Sequence, residues 1–224
     1  MVKSSPHGKT PRVSEWIRQL KKEKDAFRRK LKFLGHFFGE LKELGVDAYL
    51  VGGQAVEIYT GGQFSTGDVD ITAGNREEAA KLLLRLGFKK TGMIWLREDL
   101  GIAVQIVGAR PSSTEKARTL VIDGSDVKVV GVEDLVIDRL VSSKYWRSNP
   151  KLDLEQAAVL VNEFRDSLDL KYLRTRADEE HVVDYLNTIS TILKKPPKDR
   201  AQPFRKDGQG QRGNRRSHGE PSRN

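Results

Sequence analysis

Two carboxylates, Asp68 and Asp70, stand two positions apart in the run Asp68-Val69-Asp70-Ile71-Thr72. Their alternation with apolar residues predicts a β-strand, on which residues i and i+2 project to the same face. Ionised carboxylates held side by side repel each other, and a shared cation relieves the repulsion. The spacing therefore points to a divalent ion at Asp68 and Asp70, Mg²⁺ or Mn²⁺ in keeping with all-oxygen ligands. Upstream, the strand-like stretch 47–51, apolar from Ala48 on, ends in Gly52-Gly53, and a short helical stretch, 54–59, follows. A glycine pair between strand and helix leaves backbone N–H groups bare beside a helix N-terminus, an arrangement that receives phosphate. Ser65 and Thr66 add hydroxyl donors in the loop leading into Asp68. A phosphate cradle beside paired carboxylates is equipment for handling a nucleotide.

Several elements must hold these residues. Apolar residues Leu31, Phe33, Leu34, Phe37, Phe38, Leu41 and Leu44 recur at helical spacing until Gly45 ends the run. His36 and the phenylalanines read as core. The more basic stretch before them, with Trp16, Ile17 and Leu20, reads as a separate helix or as the start of the same one. After the Asp68 strand, Asn75 caps a helix with Glu77 and Glu78 in its first turn and Gly87 at its end. Residues 89–97 read as a short strand pair, and 102–107 as a strong strand. Asp123-Gly124 between 118–122 and 127–130 is a hairpin signal. From Val132 the pattern is helical, is broken at 148–150, resumes over 152–164, and is mostly helical again over 172–192.

The 224 residues suit one good-sized domain with a helical appendage. The sequence has no cysteine, so thiolate metal sites and disulfides are excluded, and four scattered histidines offer no zinc spacing. No apolar run approaches the roughly 20 residues of a membrane span, and residues 1–10 lack a signal-peptide core. The expectation is a cytoplasmic protein without membrane contact. The net charge of +9 is divided unevenly. Residues 1–32 hold eleven Lys/Arg against three Asp/Glu, and 194–224 hold ten against three, so 33–193 carries −6. Basic arms on an acidic body either draw in RNA or DNA without reading its sequence or serve solubility alone. Residues 196–224, rich in Gly, Pro, Gln, Ser and Arg, lack the apolar surface to fold and read as disordered.

The order apolar strand, Gly52-Gly53, helix, then Thr66-x-Asp68-apolar-Asp70-apolar, with Gly53 fifteen residues before Asp68, resembles the nucleotidyltransferase superfamily that includes DNA polymerase β. It is most similar to the small prokaryotic branch found in toxin–antitoxin and abortive-infection systems. The resemblance covers residues 33–193. It implies an α+β fold: a mixed β-sheet with helices mainly on one face, followed by a C-terminal helical region. The organisation is then a partly helical basic arm (1–32), a core (33–131), a helical region (132–195) and a disordered basic tail (196–224). The activity implied is Mg²⁺-dependent transfer of NMP from an NTP to a hydroxyl of RNA, protein or a small molecule, with Gly52 and Gly53 against the β- and γ-phosphates. Glu133-Asp134-Leu135, Arg139-Leu140 and the stretch from Lys151 to Glu155 are similar to the family's helical signature. Arg139 stands where the family usually has Lys, and Asp153 where it has Asp; both are then expected at the nucleotide.

The family usually adds a third acid on a neighbouring strand. The matching position, between Val104 and Ile106, is Gln105. Glutamine cannot act as a base and is a poor Mg²⁺ ligand. Glu98 and Asp99 could take the place only if the strand were shifted in register. Gln105 thus opens an alternative: a catalytically degenerate nucleotidyltransferase fold that binds nucleotide or nucleic acid, as a component of a toxin–antitoxin pair or otherwise.

The basic tail is separable from the predicted core. Truncation after Leu193 is expected to leave the thermal midpoint within about 2 °C of the full chain, because the segment buries almost nothing. RNA or DNA retention at low salt should fall together with its salt dependence. Filter binding over a salt series checks this; unchanged retention rejects a nucleic-acid role for the tail.

Overall fold

Seven strands form one mixed sheet in a computed structural model that describes residues 13–146 and 149–190. The strands are β1 (Ala48–Val51), β2 (Asp68–Ala73), β3 (Lys89–Thr91), β4 (Ile94–Arg97), β5 (Ile102–Gly108), β6 (Arg118–Ile122) and β7 (Ser125–Val129). Their order is β3-β4-β5-β2-β1-β7-β6. β2 runs parallel to β5 and β1 parallel to β7, while the other neighbours are antiparallel. The helices are α1 (Val13–Lys22), α2 (Ala26–Glu43), α3 (Gly52–Tyr59), α4 (Arg76–Arg85), α5 (Val132–Val141), α6 (Pro150–Phe164), α7 (Leu170–Glu179) and α8 (Val183–Ser190). The fold is α+β, as expected. Residues 1–12 and 191–224, which contain most of the basic N-terminal charge outside the helices and the whole tail, lie outside the described residues.

The two-residue period of the central strands decides which face is covered. Ala48 and Leu50 on β1, Val69 and Ile71 on β2, and Ile102 and Val104 on β5 are buried. The alternate residues Tyr49 and Val51, Asp68 and Asp70, and Ala103 and Gln105 are only half-buried. Helices therefore press on the first set, and the second set lines an open face. α2 supplies Phe33, Leu34, Phe37, Phe38 and Leu41 to the covered side. Phe33 stacks on Phe37 at 5.2 Å between centroids and meets Phe88 at 5.4 Å. Each such ring contributes on the order of 2 kcal/mol by leaving water. Among the described residues no helix is long and apolar enough to cross a membrane.

The sequence leaves open whether the basic stretch and the phenylalanine helix are one. They are two helices, and Asp25 caps the second by accepting from the Arg28 backbone N–H at 2.7 Å. α2 then runs unbroken through position 32, and Trp16, Ile17 and Leu20 of α1 are buried in the common core. The expected helical run over 172–192 is interrupted: His181 takes a left-handed φ of 56° and separates α7 from α8. The reason is burial, since the turn swings Val182 and Leu186 inward. The hairpin at Asp123-Gly124 forms as predicted, with φ of 50° and 80°, the pair of positive angles that a tight two-residue turn requires.

α2 crosses that hairpin at Gly35 and Gly39. A Cβ on Gly35 would run into the Ile122 carbonyl oxygen, a backbone atom that cannot step aside, whereas one on Gly39 would meet the Ser125 hydroxyl at 3.2 Å. Alanine gains about 1 kcal/mol of helix propensity over glycine. Gly39→Ala is therefore expected to be neutral or stabilising. Gly35→Ala should lose about 1–3 kcal/mol through overpacking. Urea unfolding of both variants checks the contrast.

Candidate active site

The turn from β1 into α3 has its shape because two side chains press on its backbone. Val51 is extended and Gly52 follows with φ +65°, a left-handed angle that side chains other than glycine avoid. A Cβ on Gly52 would also collide with the Asp70 carboxylate, and one on Gly53 would sit 2.8 Å from Thr66 Oγ1. The Gly53 backbone N–H donates to Asp70. Strand register produces this approach, because Val51 lies opposite Asp70 in the β1–β2 pair.

Asp68 and Asp70 share the open face, as their spacing predicts. The Asp70 carboxyl is pushed up to about 6: burial is the largest cause and the neighbouring Asp68 charge the second, opposed by the Arg139 guanidinium. Thr66 Oγ1 lies 3.5 Å from Asp68 Oδ1 and donates to the Asp68 carbonyl at 3.3 Å, which ties the preceding loop to the strand. Ser65 is exposed in the same loop.

The parallel β2–β5 register sets Asp70 beside Gln105 and Asp68 beside Ala103, so Gln105 lies on the face of the two carboxylates. The strand is not shifted toward Glu98 or Asp99. Those residues form a single 3-10 turn (Glu98–Leu100), and Asp99 pairs with Arg97 at 3.0 Å and with Lys21 at 2.8 Å.

Arg139 and Asp153 come together from α5 and α6. Arg139 Nη1 lies 3.3 Å from Asp153 Oδ1 and 3.4 Å from Gln156 Oε1, and the Ser142 hydroxyl donates to Asp153 Oδ2 at 2.9 Å. Arg139 is also held by its neighbour Asp138. Its charge reaches Asp70, so the first helix of the C-terminal region borders the carboxylates. Gln156 and Asp138 are additions that the sequence did not single out.

Lys30 is another. Its ammonium is buried, pairs with Glu57 of α3 and donates to the Thr66 carbonyl at 2.9 Å. One side chain thus clamps α2, the glycine-turn helix and the loop before Asp68. The signal was present: Lys30 sits on the apolar stripe between Phe27 and Leu34, and Glu57 is the lone charge in the apolar stretch 55–59. Behind the turn, the Gln54 amide is fully buried with no partner among the described residues.

The donor set can be weighed against a divalent ion. The Asp68 charge disfavours ionisation of Asp70, and a cation between them would remove that cost. They supply two oxygen ligands, which suits an ion that takes its remaining ligands from water and substrate phosphates. Among the described residues no group of three or more His, Cys, Asp or Glu gathers to hold one. Gln105 occupies the place beside Asp70 where a third carboxylate would complete such a group.

No family model matches the chain, and no curated protein does. Solved structures do. An antigenic nucleotidyltransferase-like protein from Paracoccidioides brasiliensis superposes with a TM-score of 0.53 at 19% identity, over 76% of this chain and 93% of its own. The fold is nucleotidyltransferase-like. ANT(2'')-Ia, an antibiotic-resistance factor whose structures include a complex with adenylyl-2''-tobramycin, aligns with TM-scores of 0.48 at 13% and 14% identity. Those alignments cover 68% and 71% of this chain and 97% and 95% of theirs.

The Lys30 clamp can be tested by stability. Lys30→Met leaves the Glu57 carboxylate buried without its partner and is expected to cost about 3–5 kcal/mol. Lys30→Met with Glu57→Leu removes both charges and should recover most of the loss. Denaturant unfolding of the two variants measures this, and equal losses in both would reject the coupling.

Proposed function

We propose that this chain is a divalent-cation-dependent nucleotidyltransferase. The observation that carries the reading is the Gly52-Gly53 backbone packed against Asp70 and Thr66, with Asp68 alongside, at one edge of an open sheet face. The N–H groups of the turn that Asp70 does not already occupy would take the β- and γ-phosphates of an NTP. Asp68 and Asp70 would hold Mg²⁺ or Mn²⁺, which when bound offsets negative charge on the phosphate oxygens. Arg139, oriented by Asp153 and Asp138, adds positive charge on the opposite wall. In the transfer, an acceptor hydroxyl oxygen bonds to the α-phosphorus, the bond to the β-phosphate bridging oxygen breaks, pyrophosphate leaves and the hydroxyl proton is lost to solvent. Catalysis of this kind rests on positioning and electrostatics. The acceptor hydroxyl belongs to RNA, protein or a small molecule. The setting is the cytoplasm, in a role akin to the small prokaryotic toxin–antitoxin branch.

A second reading rests on Gln105. With an uncharged amide beside Asp70, the cleft could bind nucleotide without transferring it, and the basic arms would engage nucleic acid.

Incubation with each α-labelled NTP, Mg²⁺ or Mn²⁺, and total RNA or protein separates the two. Label transfer by the wild type that is lost in Asp68→Asn and in Asp70→Asn is the result expected. NTP binding without label favours the second reading, and no NTP binding removes both. Gln105→Glu adds a charged ligand; it should tighten Mg²⁺ binding and increase transfer. Equal Mg²⁺ affinity in wild type and Gln105→Glu, read by calorimetry, would detach Gln105 from the metal site.

A further inference from the structure

Trp146 is the one tryptophan on the surface. The chain has three; Trp16 and Trp95 are 4% and 7% exposed, whereas Trp146 is 75% exposed. An indole left in water at that level forgoes a large hydrophobic gain. Its position relates it to the cleft. α5 continues directly into a π-helical turn (Ser142–Trp146), a rare wider turn that often accompanies functional sites. In a turn closed by i→i+5 bonds, residues four to five apart lie on one side, so Trp146 follows Ser142 along that side. Ser142 is bonded to Asp153, the partner of Arg139. The Tyr59 hydroxyl at the end of α3 donates to the Val130 carbonyl just before α5 at 2.8 Å, so α5 runs back along α3 toward the Gly52 turn. Of the other side chains of the turn, Ser143 donates to the Pro150 carbonyl, Lys144 reaches the His181 carbonyl and Asp184, and the exposed Tyr145 ring lies under the Lys144 ammonium.

We propose that Trp146 is a stacking platform for a nucleobase, one helical turn beyond Ser142, whose partner Asp153 holds Arg139 beside the phosphate site. A flat indole offers a π-face that any base can cover, and such stacking needs no hydrogen-bond readout. The turn sets Trp146 about two turns along from Arg139, roughly 10 Å by helical rise, within the reach of one nucleotide from phosphate to base. The inference rests on the nucleotidyltransferase reading for its ligand class. The base belongs to the donor NTP or to the terminal nucleotide of an RNA acceptor; the chemistry is shared.

Tryptophan fluorescence tests this without turnover, because Trp146 alone is open to an aqueous quencher. ATP, GTP, CTP and UTP with Mg²⁺, inorganic tripolyphosphate, and a six-residue oligoadenylate are titrated while acrylamide quenching is followed. Nucleobase ligands should protect Trp146, and tripolyphosphate should not. Trp146→Ala should weaken binding of the protecting ligand about tenfold, leave tripolyphosphate binding and the thermal midpoint unchanged, and be largely rescued in Trp146→Phe. Protection by mononucleotides assigns the base to the donor; protection by the oligonucleotide alone assigns it to an RNA acceptor. If no nucleobase ligand shields Trp146, or Trp146→Ala binds them all as the wild type does, the platform is rejected. Tripolyphosphate binding in that case would leave the phosphate cradle, and the transferase reading, standing. A concentration-dependent loss of acrylamide access in the absence of any nucleotide would also overturn the proposal, since the indole would then be covered by a second copy.

Discussion

The Lys30–Glu57 pair sets the geometry of the cleft. A buried ammonium and carboxylate are costly apart, and each needs its remaining hydrogen-bonding capacity filled. Lys30 meets that need with the Thr66 carbonyl. Once α2, α3 and the loop before β2 share this one charged contact, the glycine turn can sit against Thr66 and Asp70 with no side chain between them. The positive φ at Gly52 and the close approach at Gly53 belong to that same turn, where register sets Val51 opposite Asp70. The aromatic core beneath supplies the rigidity: Phe33 and Phe37 lie within two turns of Lys30 on the same helix.

Electrostatics on the open face runs against the usual economy of a core. Asp68 and Asp70 are placed side by side and half withdrawn from water, and burial together with mutual repulsion raises the Asp70 carboxyl to about 6. The counter-charge in the structure is Arg139, which Asp138 and Asp153 already share. An unbalanced pair of this kind is strain that a folded protein tolerates where a ligand relieves it.

The C-terminal helices bring the second wall. α5 is buried on most of its surface, yet at its end the helix widens into a π-helical turn and exposes an indole. Asp153 joins that wall to α6 by accepting from both Arg139 and Ser142. The wall is thus fixed by apolar packing of α5 on α6, with polar contacts between the two helices added where Arg139 and Asp153 meet.

Local pattern carried much of the fold. Alternation gave the strands, Asn75 and Gly87 bounded α4, and Asp123-Gly124 placed the hairpin, because each of these depends on dihedral preference or capping within a few residues. The i, i+2 spacing also determined that Asp68 and Asp70 share a face. What lay beyond it needed partners distant in the chain. Only β-strand register could place Gln105 beside Asp70 rather than one residue away, and a slip of one would have turned it to the core. Only packing could turn Lys30, which reads as one more charge in a basic run, into a buried clamp 27 residues from Glu57. The break at His181 depended on which apolar residues the body could accept. Sequence by itself determined the elements and the chemistry they carry; tertiary structure decided which charges meet, because desolvation and pairing depend on neighbours that no local pattern specifies.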